Sequence, residues 1–253
     1  MTLADTLREM EASLMDDGRI SLGETTLLLR VARPYAARGD VAARTLMQLL
    51  QRVRADGVVT PAESAEVCSL LGRIVTEELK LEDFVQEVPA PSRPASRFYD
   101  LTPLLASPVA FQLAIRRLAA LLEGVNFDFV VAPESRGFIF GSALAAHLGA
   151  GFLPVCHHGK LPRRTVEQPC ANSEGRVMLQ LHADAPVRGK GVVVIDDLLA
   201  TGATALATAK VVERLGGQVV KMVFPVELTD CCAREHVLAG YDVASLMRYG
   251  GRQ

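Results

Sequence analysis

Apolar residues in the first third of the chain recur at intervals of three and four, as in TLLLRVA and ARTLMQLLQRV, with little strict alternation. That period predicts amphipathic helices through about residue 85. Beyond residue 95 the pattern changes: FDFVVAPES, GFLPVC, GVVVIDD and QVVKMVFPVEL are short apolar runs rich in β-branched residues, separated by the helical spacing of GFIFGSALAAHLG and TALATAKVVERLGG. Strands apolar on both faces, alternating with helices, predict an α/β fold with a mostly parallel sheet covered on both sides. The change of pattern falls in PAPSRPAS, residues 89–96, whose three prolines favour an extended, helix-free connector. The expected division is therefore a small all-α domain over 1–88, a Pro-rich linker over 89–96 and a larger α/β domain over 97–253.

The length of 253 residues suits two domains, and 49% hydrophobic with 22% charged residues suits packed cores rather than disorder. A formal net charge of −2 gives no electrostatic reason to expect nucleic acid or an anionic membrane as partner, so any anion site must be local. No stretch is apolar for long enough to cross a bilayer or reads as a secretory leader, which leads to an expected cytoplasmic location. Cys68, Cys156, Cys170, Cys231 and Cys232 are odd in number and lack zinc-ligand spacing, so free thiols are expected, with the vicinal pair attributed to helix packing.

Within the helical part, DDGRISLGE at 16–24 echoes ADGVVTPAE at 55–63. Asp17-Gly18 and Asp56-Gly57 predict turns. Ser21 with Glu24 and Thr60 with Glu63 are capping-box pairs that satisfy free N–H groups at helix starts, and Pro61 suits the first helical position. Calcium is not expected, because the loops lack alternating oxygen ligands and a terminal bidentate Glu.

The chemistry concentrates in VVVIDDLLATGATALA, residues 192–207. A buried strand delivers two adjacent carboxylates, Asp196 and Asp197, to its open end, where such a pair is unfavourable unless a ligand uses it. Ionised carboxylates accept only, and so suit the 2′- and 3′-hydroxyls of a ribose. The small residues Ala200, Thr201, Gly202, Ala203 and Thr204 then allow backbone N–H groups to close around a phosphate at the start of the next helix. The stretch reads as a receptor for a ribose 5-phosphate. It is neither a Walker loop, lacking Gly-Lys-Ser/Thr, nor a dinucleotide fingerprint.

VVVIDDLLATGAT resembles the phosphoribosyl pyrophosphate motif of type I phosphoribosyltransferases, and the likeness extends from about residue 95 to the end of the chain. APESRGFIFGSALAAHLGAGFLPVCHHGKLPRRT, residues 132–165, is similar to the adenine-specific branch through ESRGF and GKLP. The resemblance implies that Ser135, Arg136, Gly137 and Lys160 hold pyrophosphate, the ESRG loop often through a non-proline cis peptide. RFYDLTPLL at 97–105 resembles the segment lining the family's base site. It implies that Phe98 stacks on the base with the main chain of Arg97 and Tyr99 beside it, while VELT at 226–229, with Leu228, forms a wall. The family also implies Mg2+ carried with the substrate rather than in a protein cage, and a homodimer. The first third resembles the helical domain of tellurite-resistance TerB proteins, through which a protein partner could engage.

The sequence departs from this pattern in three places. The family's water-excluding flexible loop corresponds to residues 161–181, anchored by Val177 to Leu181, but ungapped alignment puts Ser173 on its proton-handling Glu and Cys170 on an earlier Tyr. A shift of one residue makes Glu174 the catalytic candidate, beside Asp197. Cys156 and His157 stand where basic residues usually precede GKLP, and Tyr99 replaces an Arg. Three functions stay open at this level: transfer of ribose phosphate to a purine-like base, with adenine the expected one; a catalytically degenerate sensor of phosphoribosyl pyrophosphate or nucleotide; and transfer to an unusual base in a stress pathway.

Overall fold

The computed structural model describes residues 2–14, 19–77, 79–90, 93–172 and 175–250. The chain divides into two compact units, Met1–Ala110 and Phe111–Gln253.

In the first unit the three- and four-residue period becomes four helices, α1 (Leu3–Leu14), α2 (Leu22–Ala37), α3 (Val41–Val53) and α4 (Pro61–Glu77). Their apolar stripes meet in one core that includes Leu3, Leu7, Leu28, Leu46, Leu50, Val67 and Ile74. Both capping boxes form. Ser21 N–H donates to Glu24 Oε2 at 2.6 Å and Glu24 N–H to Ser21 Oγ at 3.3 Å. Thr60 N–H donates to Glu63 Oε2 at 2.9 Å, and Glu63 N–H returns to Thr60 Oγ1 at 3.3 Å. The second turn forms at Asp56-Gly57, with Gly57 at φ +78°, whereas Asp17 and Gly18 lie outside the described residues.

A 3-10 turn (Leu81–Phe84) leads into β1 (Gln86–Ala90) and β2 (Arg93–Asp100), paired antiparallel. Within the Pro-rich segment, residues 89–90 belong to β1 and residues 93–96 to β2, so its described part is extended strand within a hairpin. A short α5 (Thr102–Ala106) follows, and α6 (Pro108–Ala120) runs across the boundary between the two units.

The second unit contains β3 (Phe129–Pro133), α7 (Arg136–Leu148), β4 (Gly151–His157), β5 (Thr165–Asn172), β6 (Gly175–His182), β7 (Gly191–Ile195), β8 (Leu198–Leu199), α8 (Ala203–Arg214), β9 (Gln218–Leu228) and β10 (Val243–Tyr249). The sheet runs β10-β9-β7-β3-β4-β6-β5, with β8 beside β9. The run from β10 to β4 is parallel, and β6 and β5 close the edge antiparallel. The expected mostly parallel sheet flanked by helices is therefore present.

Both faces of β7 are covered. Val192 and Val194 pack toward α8 in cores with Ala207, Val211 and Ala209. Ile195 and Ala132 lie under α7, where a Cβ at Gly141 would come within 2.8 Å of Ala132 and 3.3 Å of Ile195.

Two expectations are corrected. Residues 161–181 do not form a free loop: β5 and β6 make a hairpin in register from Thr165 opposite His182 to Asn172 opposite Gly175. Val166, Cys170, Val177, Leu179 and Leu181 fall on one face by alternation and bury against the α8 side of the sheet, which gives the segment a core of its own. Cys231 and Cys232 do not pack in a helix. They sit exposed at a 3-10 turn (Thr229–Cys231), where Cys232 takes the left-handed φ of +47°.

Candidate active site

Parallel register sets the site. Val131 of β3 is level with Val194 of β7, and Pro133 of β3 with Val155 of β4, so the three strands end at one edge. Whatever follows Pro133, Ile195 and Val155 meets there, as expected at the carboxyl ends of a parallel sheet. The Glu134–Ser135–Arg136 turn faces Asp196–Asp197 across a cleft that Cys170, His157, Leu179 and Thr204 also line. The cleft continues over Ala200 to Ala205.

The two acids differ in setting. Asp196 is half-buried and its Oδ1 accepts the Asp197 N–H at 2.9 Å, while the Asp197 residue is 5% exposed. Burial pushes the Asp196 carboxyl well above the ordinary carboxylate range, and the neighbouring Asp197 adds to the shift. Burial also raises Asp197, against the opposing pull of the Arg136 guanidinium. Arg136 Nε lies 2.9 Å from Asp197 Oδ2, yet among the described residues that oxygen accepts no hydrogen bond of good geometry. The contact is ionic, and the oxygen keeps a lone pair for another donor.

The approach of α7 to the acids needs glycine. A Cβ on Gly137 would come within 2.9 Å of Asp196 Oδ1 and 3.0 Å of Pro133. The Glu134–Ser135 peptide is cis, as the ESRG resemblance implied. Glu134 itself, not singled out in the sequence, accepts the His157 N–H on Oε2 at 3.0 Å and donates its own N–H to Val155 C=O at 2.8 Å, tying the turn to the end of β4.

After Asp197, a two-residue β8 alongside β9 carries the chain to Gly202, the residue before α8, at φ +80°. At this left-handed turn Gly202 itself offers no side-chain cap to α8. Thr201 is exposed and its Oγ1 accepts the Ala203 N–H at 3.5 Å; Thr204 is half-buried, with its hydroxyl 3.9 Å from Cys170 Sγ. The hairpin thus reaches the start of the helix that the sequence marked for phosphate.

Other expected residues lie elsewhere. Lys160 is in the exposed turn after β4 and lines neither part of this cleft. Leu228 ends β9, half-buried opposite Tyr249. Phe98 and Tyr99 lie on β2 in the first unit, Phe98 half-buried and Tyr99 buried, with Arg97 before them on the same strand. Glu174 and Ser173 lie outside the described residues.

Among the residues that line the cleft, sequence reasoning passed over Glu134 and gave His157 no role. Both were detectable: Glu134 opens ESRG, and His157 shares the parity of Leu153 and Val155 in the β4 run. Among the described residues, no group of three or more His, Cys, Asp or Glu is placed to hold a metal ion.

Comparison with known proteins agrees with this geometry. A phosphoribosyl transferase domain model matches residues 103–240. An adenine phosphoribosyltransferase of Caldanaerobacter subterraneus subsp. tengcongensis is 45% identical over 169 residues, covering 67% of this chain and 97% of that protein. The crystal structure of an adenine phosphoribosyltransferase from Thermoanaerobacter pseudethanolicus superposes with a TM-score of 0.65 at 44% identity, over 67% of this chain and all of that one. The enzyme of Saccharomyces cerevisiae, complexed with an imino-altritol bisphosphate and adenine, gives 0.61 at 30% identity, over 65% of this chain and 95% of that one.

Proposed function

The chain belongs to the phosphoribosyltransferase family, and from that premise we propose that it joins adenine to phosphoribosyl pyrophosphate, releasing pyrophosphate and adenosine monophosphate. The observation that carries the reading is the meeting, at one strand edge, of the acid pair Asp196–Asp197, the turn of small residues Ala200–Thr204 at the start of α8 and the guanidinium of Arg136.

In this reading Asp196 and Asp197 accept hydrogen bonds from the 2′- and 3′-hydroxyls of the ribose. The amides and hydroxyls of Ala200, Thr201, Gly202, Ala203 and Thr204 hold the 5′-phosphate at the positive end of α8. Ser135, Arg136 and Gly137 take the pyrophosphate, with Lys160 as a further cation. A base nitrogen attacks C1′ as the bond from C1′ to the pyrophosphate oxygen breaks. Positive charge grows on the sugar ring, and the Asp197 carboxylate below it lowers the energy of that charge. Glu174 takes the proton released from the base nitrogen. The base assignment rests on motif alone: Phe98 stacks, the main chain of Arg97 and Tyr99 reads the edge, and Leu228 contributes the wall.

Charge supports Mg2+ as the companion of the substrate. Glu134, Asp196 and Asp197 outnumber Arg136 among the lining side chains, so a polyphosphate enters with less repulsion when its charge is partly offset. Mg2+ supplies that offset from a shell of substrate oxygens and water.

We further propose the domain division at the Pro-rich segment 89–96, a TerB-like role for the helical bundle as a site for a protein partner, a homodimeric assembly and a cytoplasmic location. Among the described residues no helix is long and apolar enough to cross a membrane.

Incubating the chain with phosphoribosyl pyrophosphate, Mg2+ and each common base, then weighing the products by mass spectrometry, tests the central reading. Adenosine monophosphate from adenine is expected. Tight binding of phosphoribosyl pyrophosphate by calorimetry without product from any base would replace transfer with sensing.

A further inference from the structure

We propose that His157 is a positioning residue for the pyrophosphate group and takes up a proton as that group binds, which makes substrate affinity depend on pH; this rests on the pyrophosphate reading of the cleft above. Alternation along β4 gives His157 the parity of Leu153 and Val155, which pack on the α8 side of the sheet. Its registered partner on β6 is Leu179, so the two side chains share that face, and both line the cleft opposite Ser135 and Arg136. The backbone agrees: the His157 N–H donates to Glu134 Oε2 at 3.0 Å, fixing the end of β4 against the turn that faces the acid pair.

Groups of both signs surround the ring. The β3–α7 turn contributes Glu134 and Arg136, the end of β7 contributes Asp196 and Asp197, β5 contributes the Cys170 thiol, and α8 contributes the Thr204 hydroxyl. The turn after β4 carries His158, within 3.1 Å of Glu167 on β5, and the exposed Lys160. Acids therefore exceed cations around the lining before substrate arrives. An anionic pyrophosphate needs donors on that wall, and Arg136 already faces Asp197 at 2.9 Å. An imidazole is the side chain whose ordinary titration spans pH 5 to 8, and a bound anion favours its charged form. The step is a proton uptake from solvent, with no covalent change.

The test compares wild type, His157→Gln and His157→Lys between pH 6 and pH 8.5. For the wild type, the KM for phosphoribosyl pyrophosphate, divided by that of His157→Gln at the same pH, should rise about tenfold across one proton's titration. The ratio cancels ionisation of the substrate itself. His157→Lys should hold the low KM at the upper end of the range, and kcat should change little with either variant.

Independently of turnover, calorimetry of inorganic pyrophosphate with Mg2+ in buffers of different ionisation enthalpy should show proton uptake by wild type that is absent in His157→Lys. Equal pH profiles for wild type and His157→Gln, or equal proton uptake by wild type and His157→Lys, would overturn the inference. Proton-coupled pyrophosphate binding without nucleotide formation would support His157 while defeating the transfer reading, so the two failures are distinguishable.

Discussion

Arg136 Nε stands 2.9 Å from Asp197 Oδ2 while that oxygen accepts no well-aimed hydrogen bond among the described residues. The oxygens of a residue only 5% exposed ordinarily each have at least one hydrogen-bond partner. Here charge holds it and a lone pair stays free. The proposed ribose site requires such a carboxylate, able to accept from a hydroxyl donor and to oppose positive charge on the sugar.

Asp197→Asn should therefore lower kcat/KM for phosphoribosyl pyrophosphate by about a hundredfold or more, because a charged acceptor and its electrostatic contribution are lost together. Steady-state rates of nucleotide formation measure this, with circular dichroism to show that the fold is retained. A loss below threefold would remove Asp197 from the reaction.

Asp196→Asn should stabilise the ligand-free protein at pH 7. The folded-state pKa of Asp196 is raised by burial and by Asp197, so the folded chain holds the proton more tightly than the unfolded chain does. Stability then falls as pH rises from the ordinary carboxylate range through the raised value, and stays lower above it. Asn keeps an oxygen for the Asp197 N–H and removes the penalty, a gain on the order of 1 kcal/mol. Thermal unfolding should show a higher Tm for the variant at pH 7 and convergence with wild type near pH 3; a lower Tm at pH 7 would contradict this account.

Gly202→Ala should weaken both fold and phosphate binding. Gly202 sits at φ +80°, and an added Cβ would lie 3.2 Å from Ala233 Cβ and 3.3 Å from both Leu238 and Val237. The left-handed conformation alone costs a residue with a Cβ about 1 kcal/mol. Denaturant titration should report about 1–2 kcal/mol of lost stability, and the KM for phosphoribosyl pyrophosphate should rise.

Arg234→Ala should destabilise the second unit by about 3 kcal/mol, because it strips a buried carboxylate of its main partner. Glu227 is 3% exposed, with Arg234 Nε 3.2 Å from Oε1 and Arg248 Nε 3.4 Å from Oε2. Burial alone would raise its pKa, but hydrogen bonds from Arg234 and Ser245, with the charge of Arg248, hold it below the ordinary range. That contribution is present above the ordinary carboxylate pKa and is lost as pH falls through the lower folded value. In wild type the acid limb of the stability profile should carry it; in Arg234→Ala it should be absent.

Glu174→Gln should lower kcat by about a hundredfold with little effect on the KM for phosphoribosyl pyrophosphate, as expected of a group that moves a proton at the base rather than holding the sugar. If Ser173→Glu restores turnover to that variant, the two positions share the task.

Much of this protein was legible before any coordinates. The three- and four-residue period announced the helices of the first unit, and Ser21–Glu24 and Thr60–Glu63 announced two helix starts that formed as written; the period change near residue 90 falls at the β1–β2 hairpin, whereas the two units divide at Ala110/Phe111. Asp196, Asp197 and the small residues after them could be read together because strand end, turn and helix start are contiguous in sequence, and the structure places them in that order. The β5–β6 hairpin was misread as a loop because its polar positions dominated a count of composition, while its alternating face found a partner only against α8.

Local order, then, wrote the elements, their caps and the turn after Asp197, since each depends on residues within a few positions of one another. Tertiary structure alone decided that β3, β4 and β7 end level, that Gly137 lets α7 close on Asp196, and that Arg136 and His157 share a cleft with Asp197. Those relations join residues from 21 (Arg136 and His157) to 63 (Val131 and Val194) positions apart. They are set by sheet register and side-chain volume, which no single stretch of chain contains.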